Sequence, residues 1–391
     1  MNLGFYYHIP IRRTEDSLLL PGYLAVFVDA LAKEVTQLTL FLHEEKPGEM
    51  NPADTVLKET NISWVNLGPK TAAWHRSIFY RSVLKEFKPE LNAVDVLLVR
   101  CPSPLAPYFS RIIKDPSRVV YYVVGDYGEG ARHWKSKSIR QYLIKKYLYW
   151  NDSALKSTVK NKLLIVNSIA LKKEYEKINK RVHIVKTTTI QKHDFYLRKT
   201  YNITPPIKLL YTGRFDYQKG LKELITALSE LRKKGCDIEL HLVGWEESSN
   251  NNIETNLKNF ARALDVDQYI VWHGKKKTGD ELNLFYRDAD IYVIPSYHEG
   301  FPRSIWEAMA NSCPVIATKV GSIPYYLEND KHALLIEPKS SKAISNAVIK
   351  LINDGNLRKE LIKNGFALAK ENTLEMQSKK LKSLIYDYIR R

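Results

Sequence analysis

Short apolar runs alternate with helix-like segments along most of this 391-residue chain. In the first half the strand-like runs read LGFYYHI, LTLFLH, DVLLVRC, VVYYVVG, LLIVNS and VHIVKTTTI. In the second half they read IKLLYTGR, IELHLVG, YIVWHG, IYVIPS, PVIATKV and ALLIEP. Strands that alternate with helices are typical of α/β proteins, and nearly continuous apolar strands indicate parallel sheets covered on both faces. We therefore expect an α/β fold with doubly wound parallel sheets.

The chain is long enough for two domains. A polar, aperiodic segment that ends in two prolines, QKHDFYLRKTYNITPP, separates the two runs of strands. We predict a first domain over 1–195, a linker over 196–206 and a second domain over 207–373. The last helical segment, 374–391, is a candidate to pack back on the first domain. In doubly wound folds ligands bind beyond the carboxyl ends of the strands, so we expect a site in a cleft between two facing domains.

The net charge of +17 favours a polyanionic partner. Nucleic acid, anionic lipid, phosphorylated ligands and a merely solubilising surface all remain open at this point. The three cysteines, Cys101, Cys236 and Cys313, are widely spaced and carry no paired-cysteine motif, which is typical of reduced residues in a cytosolic protein. No apolar run approaches the ~18 residues of a membrane span, and the amino terminus lacks the layout of a signal peptide. We therefore expect a cytoplasmic protein.

The segment YTGRFDYQKG, 211–220, follows a strand and opens a helix. Gly213 permits a tight turn, while Arg214 and Lys219 can converge on one anion beside the amino terminus of that helix. This pattern predicts a cradle for a diphosphate. Taken alone, the pattern is more typical of a turn with two solvated cations.

The segment HEGFPRSIWEAM, 298–309, has the same strand-to-helix context. Glu299 lies in the loop and Glu307 lies one turn into the helix, while Gly300 and Pro302 shape the turn between them. A carboxylate can accept hydrogen bonds from two vicinal hydroxyls, such as those of a ribose or a hexose. The alternatives are a loop carboxylate paired with Lys or Arg for Glu299, and a helix-surface carboxylate for Glu307.

Together, the order and spacing of these segments resemble family four of the retaining nucleotide-sugar glycosyltransferases, which have the GT-B fold of two Rossmann-like domains. The resemblance covers most of 207–340 and includes LLYTGRFDYQKGLKELITAL, LHLVGWE, YIVWHGKK, LFYRDADIYVIPSYHEGFPRSIWEAMANSCPVIATKVGSIPYYL and HALLIEP. It implies that Glu299 contacts the transferred sugar, Glu307 the ribose, and Arg214 and Lys219 the diphosphate. By the same resemblance, the donor-binding loops include Gly213, Gly300, Phe301 and Pro302, and Lys275 lies near the base.

The resemblance also implies retention at the anomeric carbon and a UDP- or GDP-linked donor, with no cofactor. An Arg/Lys pair can stabilise a departing diphosphate without a metal ion, and the one DxD-like stretch, 288–290, falls between a helix and a strand. We therefore expect metal-independent hexosyl transfer to a glycan or lipid-linked acceptor, as in lipopolysaccharide or other surface polysaccharide synthesis. A nucleotide-sugar epimerase or another GT-B enzyme is an alternative. A basic nucleic-acid-binding protein is a weaker alternative, because no nucleic-acid module is recognisable.

The amino-terminal half departs from the family pattern. The family's Gly-Gly loop is replaced by a segment in which only Gly22 lies near a helix start, with Arg12 and Arg13 as possible substitutes or simply solvated cations. Where the family often has a histidine, this chain has Asp126, a candidate for a polar contact to the donor sugar or the acceptor hydroxyl, or for a cap of the next turn. His133 is a weaker candidate.

A basic, aromatic segment occupies 131–162. A stripe of apolar and aromatic residues follows helical spacing: Ile139, Leu143, Tyr147, Trp150 and Ala154. The cations Arg140, Lys145 and Lys146 lie off this stripe. Such a helix over 138–157 can rest on an anionic membrane surface, which predicts peripheral contact at the inner face of the cell membrane. The alternative is an amphipathic helix that packs its stripe into the first domain.

Overall fold

The computed structural model describes residues 1–46, 53–125, 138–246 and 252–390. Contacts divide the chain into two units, one formed by Met1–Thr187 with Glu375–Arg391 and the other by Thr188–Leu374. Residues 188–206, which the sequence divides between the first domain and a linker, group with the second unit. The end of the chain groups with the first unit.

The first unit is built on a seven-stranded parallel sheet with the strand order β10-β9-β8-β7-β1-β4-β6. A small antiparallel sheet, β2-β3-β5, lies beside it. The strands are Asn2–Tyr6 (β1), Arg12–Arg13 (β2), Leu18–Leu20 (β3), Gln37–Glu44 (β4), Thr55–Val56 (β5), Ile62–Pro69 (β6), Val96–Cys101 (β7), Val119–Val123 (β8), Leu164–Val166 (β9) and Val182–Ile184 (β10). The helices are Gly22–Ala32 (α1), Ala73–Ile78 (α2), Tyr80–Lys85 (α3), Lys88–Ala93 (α4), Ile139–Val159 (α5) and Ile169–Tyr175 (α6). Every residue of β7 and β8 is buried, as expected for central strands covered on both faces.

The second unit has a six-stranded parallel sheet with the order β13-β12-β11-β14-β15-β16. Its strands are Ile207–Arg214 (β11), Ile238–Trp245 (β12), Ile270–Gly274 (β13), Ile291–Ile294 (β14), Val315–Thr318 (β15) and Leu334–Ile336 (β16). Its helices are Leu221–Lys233 (α7), Ile253–Ala263 (α8), Asp280–Asp288 (α9), Arg303–Ala310 (α10), Ile323–Tyr326 (α11), Ser341–Asn353 (α12) and Gly355–Lys370 (α13). The helix α7 shows why the local sequence folds this way, because its leucines and its alanine recur at helical spacing and all face the core.

The last helix, Leu374–Ile389 (α14), packs on the first unit. The Gln377 side chain accepts a hydrogen bond from the backbone N–H of Lys186 at 2.8 Å, and Lys382 lies 3.7 Å from the Glu34 carboxylate. The chain therefore ends against the unit in which it began.

The predicted α/β class is confirmed, with a parallel, Rossmann-like sheet in each unit. Each of the twelve apolar runs identified in the sequence contains a strand of one of these sheets. The sequence analysis missed β6, since this edge strand is mostly half-exposed and lacks a continuous apolar run.

Candidate functional site

The second unit brings the two sequence motifs to one edge of its sheet. Strand β11 pairs in parallel with β14, with Leu209 opposite Ile291 and Leu210 opposite Tyr292. The carboxyl ends of both strands therefore lie on the same side, where ligands of doubly wound sheets bind. The loop after β11 carries Lys219, and the loop after β14 carries Glu299.

Lys219 and Glu299 form an ion pair at this edge. The Lys219 Nζ donates to Glu299 Oε1 at 2.6 Å, and the Ser296 hydroxyl donates to the same oxygen at 2.7 Å. The two charged side chains are only 19% and 11% exposed. Among the described residues, no hydrogen-bond donor reaches Glu299 Oε2. A carboxylate fixed through one oxygen keeps the other available for a hydroxyl donor.

The loops around this pair approach each other through their backbones. The backbone N–H of Tyr297 donates to the carbonyl of Gln218 at 2.7 Å, which ties the loop after β14 to the loop after β11. Gly220 has φ +66°, and a Cβ atom there would lie 2.1 Å from the Pro295 carbonyl oxygen. Any side chain at position 220 would therefore be strained and would separate the loops.

Glu307, on α10, is buried and accepts two hydrogen bonds from protein hydroxyls. Thr189 donates to Oε1 at 2.5 Å, and Tyr286 donates to Oε2 at 2.8 Å. The Tyr286 hydroxyl also lies 2.6 Å from the Thr212 hydroxyl. Because Tyr286 donates its only hydroxyl proton to the carboxylate, Thr212 is the donor in that contact. Burial, together with the Glu307 charge, raises the pKa of Tyr286 well above its ordinary value, so Tyr286 stays protonated. An ionised carboxylate has about four acceptor positions, so two remain for a ligand.

The other predicted donor-site residues lie at the same edge of the second unit. Arg214 is the exposed last residue of β11, and its carbonyl accepts a hydrogen bond from the buried Tyr211 hydroxyl at 2.9 Å. Directly before it, Gly213 has φ +146°, and a Cβ atom there would lie 3.0 Å from the Tyr211 hydroxyl oxygen. Lys275 follows β13, with its Nζ 5.1 Å from the centroid of the Trp245 ring at the end of the adjacent β12.

The turn before α10 is fixed by aromatic packing. The Phe301 ring stacks on Trp306 at 4.5 Å and meets Tyr326 edge-on at 5.2 Å. Pro302 occupies the cap position of α10 and makes no capping hydrogen bond with its side chain, and Gly300 is exposed. Donor N–H groups at a helix start attract anions and hydroxyl oxygens. The binding roles assigned to these residues stay predictions.

Acidic residues of the DxD-like stretch lie at the opposite edge of this sheet. Asp288 lies 2.8 Å from the Lys208 Nζ, and the Asp290 carboxylate accepts from the Lys208 backbone N–H at 2.9 Å. Lys208 is near the start of β11 rather than its end. Within the described ranges, no group of three or more His, Cys, Asp or Glu side chains is arranged to hold a metal ion.

Two of the candidates in the first unit, Asp126 and His133, lie outside the described residues. Arg12 lies 3.5 Å from the Glu45 carboxylate and also donates to the Ala53 carbonyl. At the start of α1, the Gly22 backbone N–H donates to the Asp54 carboxylate at 3.1 Å. A carboxylate of the protein itself therefore accepts from this amide group.

Part of the second unit is similar to a known family. The sequence profile of the family "glycosyl transferases group 1" matches residues 192–367. The capsular polysaccharide biosynthesis glycosyltransferase CapM of Staphylococcus aureus is 30% identical over 155 residues, which are 40% of this chain and 39% of CapM. The matches to curated relatives cover between 34% and 58% of the relatives' own lengths.

Solved structures match over the whole chain. HepE of Anabaena in complex with UDP has a TM-score of 0.75 at 15% identity, covering 99% of this chain and 100% of HepE. WaaG, a glycosyltransferase involved in lipopolysaccharide biosynthesis, has a TM-score of 0.68 at 14% identity, covering 98% of this chain and 99% of WaaG.

These likenesses define the class, because the chain has the two-domain fold of the GT-B glycosyltransferases. The profile match over residues 192–367 confirms the resemblance to group 1 glycosyl transferases that was drawn from the motifs of that part of the chain.

Proposed function

We propose that this protein is a glycosyltransferase that moves a hexose from a UDP- or GDP-linked sugar to a cell-envelope or lipid-linked glycan. The observation that carries the proposal is the meeting of Lys219 and Glu299 at the ligand-binding edge of a group 1 domain. Glu307 lies in the same domain, held by Tyr286 and Thr189. The donor's sugar, diphosphate and ribose each have a matching group in this set.

The chemistry requires stabilisation of the diphosphate as it leaves. When the donor binds, the Lys219 ammonium can exchange Glu299 for a phosphate oxygen, while Glu299 turns to a sugar hydroxyl. Arg214, the last residue of β11, supplies a second cation. Fixed positive charge that meets negative charge only as it develops is an effective source of catalysis, and two such cations can supply it without a metal ion.

Retention at the anomeric carbon is the stereochemical part of this proposal. We expect proton NMR of a freshly formed product to show the same anomeric configuration as the donor sugar. The spectrum must be recorded before the product can equilibrate in solution. An inverted product would contradict retention, while leaving glycosyl transfer itself intact.

A surface of the first unit supports contact with an anionic membrane. In α5, Ile139 is 81% and Leu143 is 59% exposed, whereas Leu155 and Val159 are buried. Of the predicted stripe, Ile139, Leu143 and Trp150 are exposed, and Tyr147 and Ala154 are half-buried, so the helix packs into the first unit through other residues of its second half. In the described part of the chain, no helix is long and apolar enough to cross a bilayer.

Neighbouring elements extend this surface. The Tyr147 hydroxyl of α5 donates to the Ala73 carbonyl of α2 at 3.0 Å, so the two helices are adjacent. Trp74 and Ile78, one turn apart on α2, are more than half exposed. Apolar side chains that insert between lipid headgroups beside cations such as Lys146 are typical of interfacial helices.

The membrane part of the proposal predicts a lipid-selective association. We expect the protein to co-sediment with phosphatidylglycerol vesicles and much less with phosphatidylcholine vesicles, because each basic residue near an anionic surface contributes about 1 kcal/mol. The double variant Ile139→Ser, Leu143→Ser should reduce sedimentation, whereas Leu284→Ser, an exposed leucine of the second unit, should not. Equal sedimentation with both lipids would contradict membrane contact.

A further inference from the structure

Ser296 is a buried residue of the candidate site to which the sequence motifs gave no role. It is the second residue after β14, and none of its surface is exposed. Its hydroxyl donates to Glu299 Oε1 at 2.7 Å, and the Lys219 Nζ donates to the same oxygen at 2.6 Å. Each oxygen of an ionised carboxylate has about two acceptor positions, so these two donors fill those of Oε1.

The position of Ser296 is fixed by the neighbouring strand. Strands β14 and β15 pair in parallel, with Ile294 opposite Ala317, so Ser296 and Thr318 lie at the same edge of the sheet. Thr318 is the buried last residue of β15, and its hydroxyl donates to the Ser296 carbonyl at 2.6 Å. A serine hydroxyl is attached to the backbone through a single carbon atom, so fixing the backbone of Ser296 also limits where its hydroxyl can lie.

The loop after β15 fixes the backbone of the turn that carries Glu299. The Ser322 N–H donates to the Gly300 carbonyl at 2.7 Å. Gly321 has φ +56°, and a Cβ atom there would lie 1.6 Å from the Glu299 carbonyl oxygen. Because the two loops are in such close contact, the backbone of Glu299 has little room to move. A ligand can therefore change the partners of the Glu299 carboxylate more easily than it can move the turn.

The two donors to Glu299 Oε1 differ in their freedom to leave it. Lys219 has a flexible side-chain stem, and its side chain is 19% exposed. In the proposed function it exchanges Glu299 for a phosphate oxygen of the donor. The Ser296 hydroxyl is short and enclosed by the second unit, so it keeps the carboxylate oxygen as its acceptor. Loss of that acceptor would leave a buried hydroxyl unsatisfied, which costs free energy.

We propose that Ser296 is a positioning residue that keeps Oε1 of Glu299 bound while Lys219 moves to the diphosphate of the donor. Glu299 then meets a hydroxyl of the transferred sugar through its remaining acceptor positions, with the carboxylate already in place. Without the Ser296 hydroxyl, the carboxylate would be free to rotate away from the sugar or to follow the ammonium. This role rests on the proposed function, because it concerns a step in donor binding.

The role of Ser296 predicts that its loss affects binding of the sugar and spares binding of the nucleotide. Titration calorimetry of the full chain would compare UDP with UDP-glucose, and GDP with GDP-mannose. In Ser296→Ala, the Kd of the nucleoside diphosphate should stay unchanged. The Kd of the nucleotide sugar should rise about tenfold, the size expected for the loss of one hydrogen bond to a charged group. A residue that merely supported the fold would not separate the two ligands.

Ser345→Ala is the matched control. Ser345, on α12, is also completely buried, and its hydroxyl donates to the Glu230 carboxylate at 2.6 Å. Removing its hydroxyl should lower the unfolding midpoint in the same way as removing that of Ser296, because each variant loses a hydrogen bond between a serine and a glutamate. Both Kd values should stay unchanged in this control. An effect that followed from lower stability alone would appear in both variants.

Ser296→Cys is a second variant of similar size. Its thiol is a weak donor, so the loss of sugar affinity should be intermediate, and it provides the test if the alanine variant does not fold. Unchanged affinity of Ser296→Ala for the nucleotide sugar would overturn the role of Ser296 and leave the proposed function intact. Equal weakening of the nucleotide and the nucleotide sugar would overturn that role as well. If the unchanged protein binds none of the four ligands, the proposed function fails together with the role of Ser296.

Discussion

Replacing Lys219 with Ala is expected to lower kcat about 100- to 1000-fold, which corresponds to the ~2.7–4 kcal/mol supplied by one preorganised donor to a developing charge. The lysine already stands at the candidate site, 2.6 Å from Glu299. Once a donor phosphate replaces Glu299 as its partner, the attraction to the ammonium would strengthen as the departing diphosphate gains negative charge. The binding of substrate should change less than kcat, because the interaction strengthens in the transition state. Steady-state release of nucleoside diphosphate measures both quantities.

The matched control for this variant is Lys222→Ala. Lys222 is exposed three residues later, at the start of α7, and its Nζ lies 5.5 Å from the Phe260 ring. It should retain normal turnover. Glu299→Ala should lower kcat in the same way. It should also lower the free energy of unfolding by about 1–3 kcal/mol, because Lys219 and Ser296 lose an acceptor. If Lys219→Ala turned over as fast as Lys222→Ala, the role of Lys219 in stabilising the departing diphosphate would be contradicted.

Replacing Glu307 with Gln is expected to weaken UDP binding about 10- to 100-fold. Hydrogen bonds to a charged group contribute about 1.5–3 kcal/mol, and each 1.4 kcal/mol is a factor of ten in affinity. The loss should be specific for the ribose, so the variant should bind UDP and 2′-deoxy-UDP almost equally. Titration calorimetry of the two nucleotides measures this discrimination directly.

Tyr286 provides a second means of testing the ribose assignment. Tyr286→Phe removes the donor to Glu307 Oε2 and should reduce the preference for ribose part of the way. Tyr292→Phe is the control, because Tyr292 lies in the same core but contacts Thr212 rather than Glu307. Unchanged discrimination between UDP and 2′-deoxy-UDP in Glu307→Gln would remove Glu307 from the ribose site.

The sequence was most informative where function depends on residues close together in the chain. Arg214 ends β11 and Lys219 follows within five residues, while Glu299 lies in the loop after β14 and Glu307 lies in the helix that this loop opens. Their apolar runs predict strands of a parallel sheet, and the structure pairs β11 with β14. A reader of the sequence can therefore place both loops at one sheet edge. The Lys219–Glu299 bond joins residues 80 positions apart, and its presence follows from that common edge.

The hydroxyls that hold Glu307 could not be predicted in the same way. Tyr286 is on the buried face of α9. The apolar pattern of this helix predicts that the tyrosine is buried, but it does not predict which residue its hydroxyl contacts. Thr189 lies in the KTTTI segment, which departs from the family pattern and offered no motif. Both contacts depend on how helices pack across the sheet, and local periodicity does not specify that packing.

The most direct test of the central claim is a thermal-unfolding screen of the intact protein against UDP-, GDP- and dTDP-linked sugars, with inorganic phosphate present throughout. We expect one nucleotide sugar to raise the unfolding midpoint, since a ligand at 100 times its Kd stabilises the folded state by about 2.7 kcal/mol. Glu307→Gln should abolish most of that rise. If no nucleotide sugar changes the midpoint, or if the rise persists in the Glu307→Gln, Lys219→Ala double variant, the second unit does not bind its ligand at these residues.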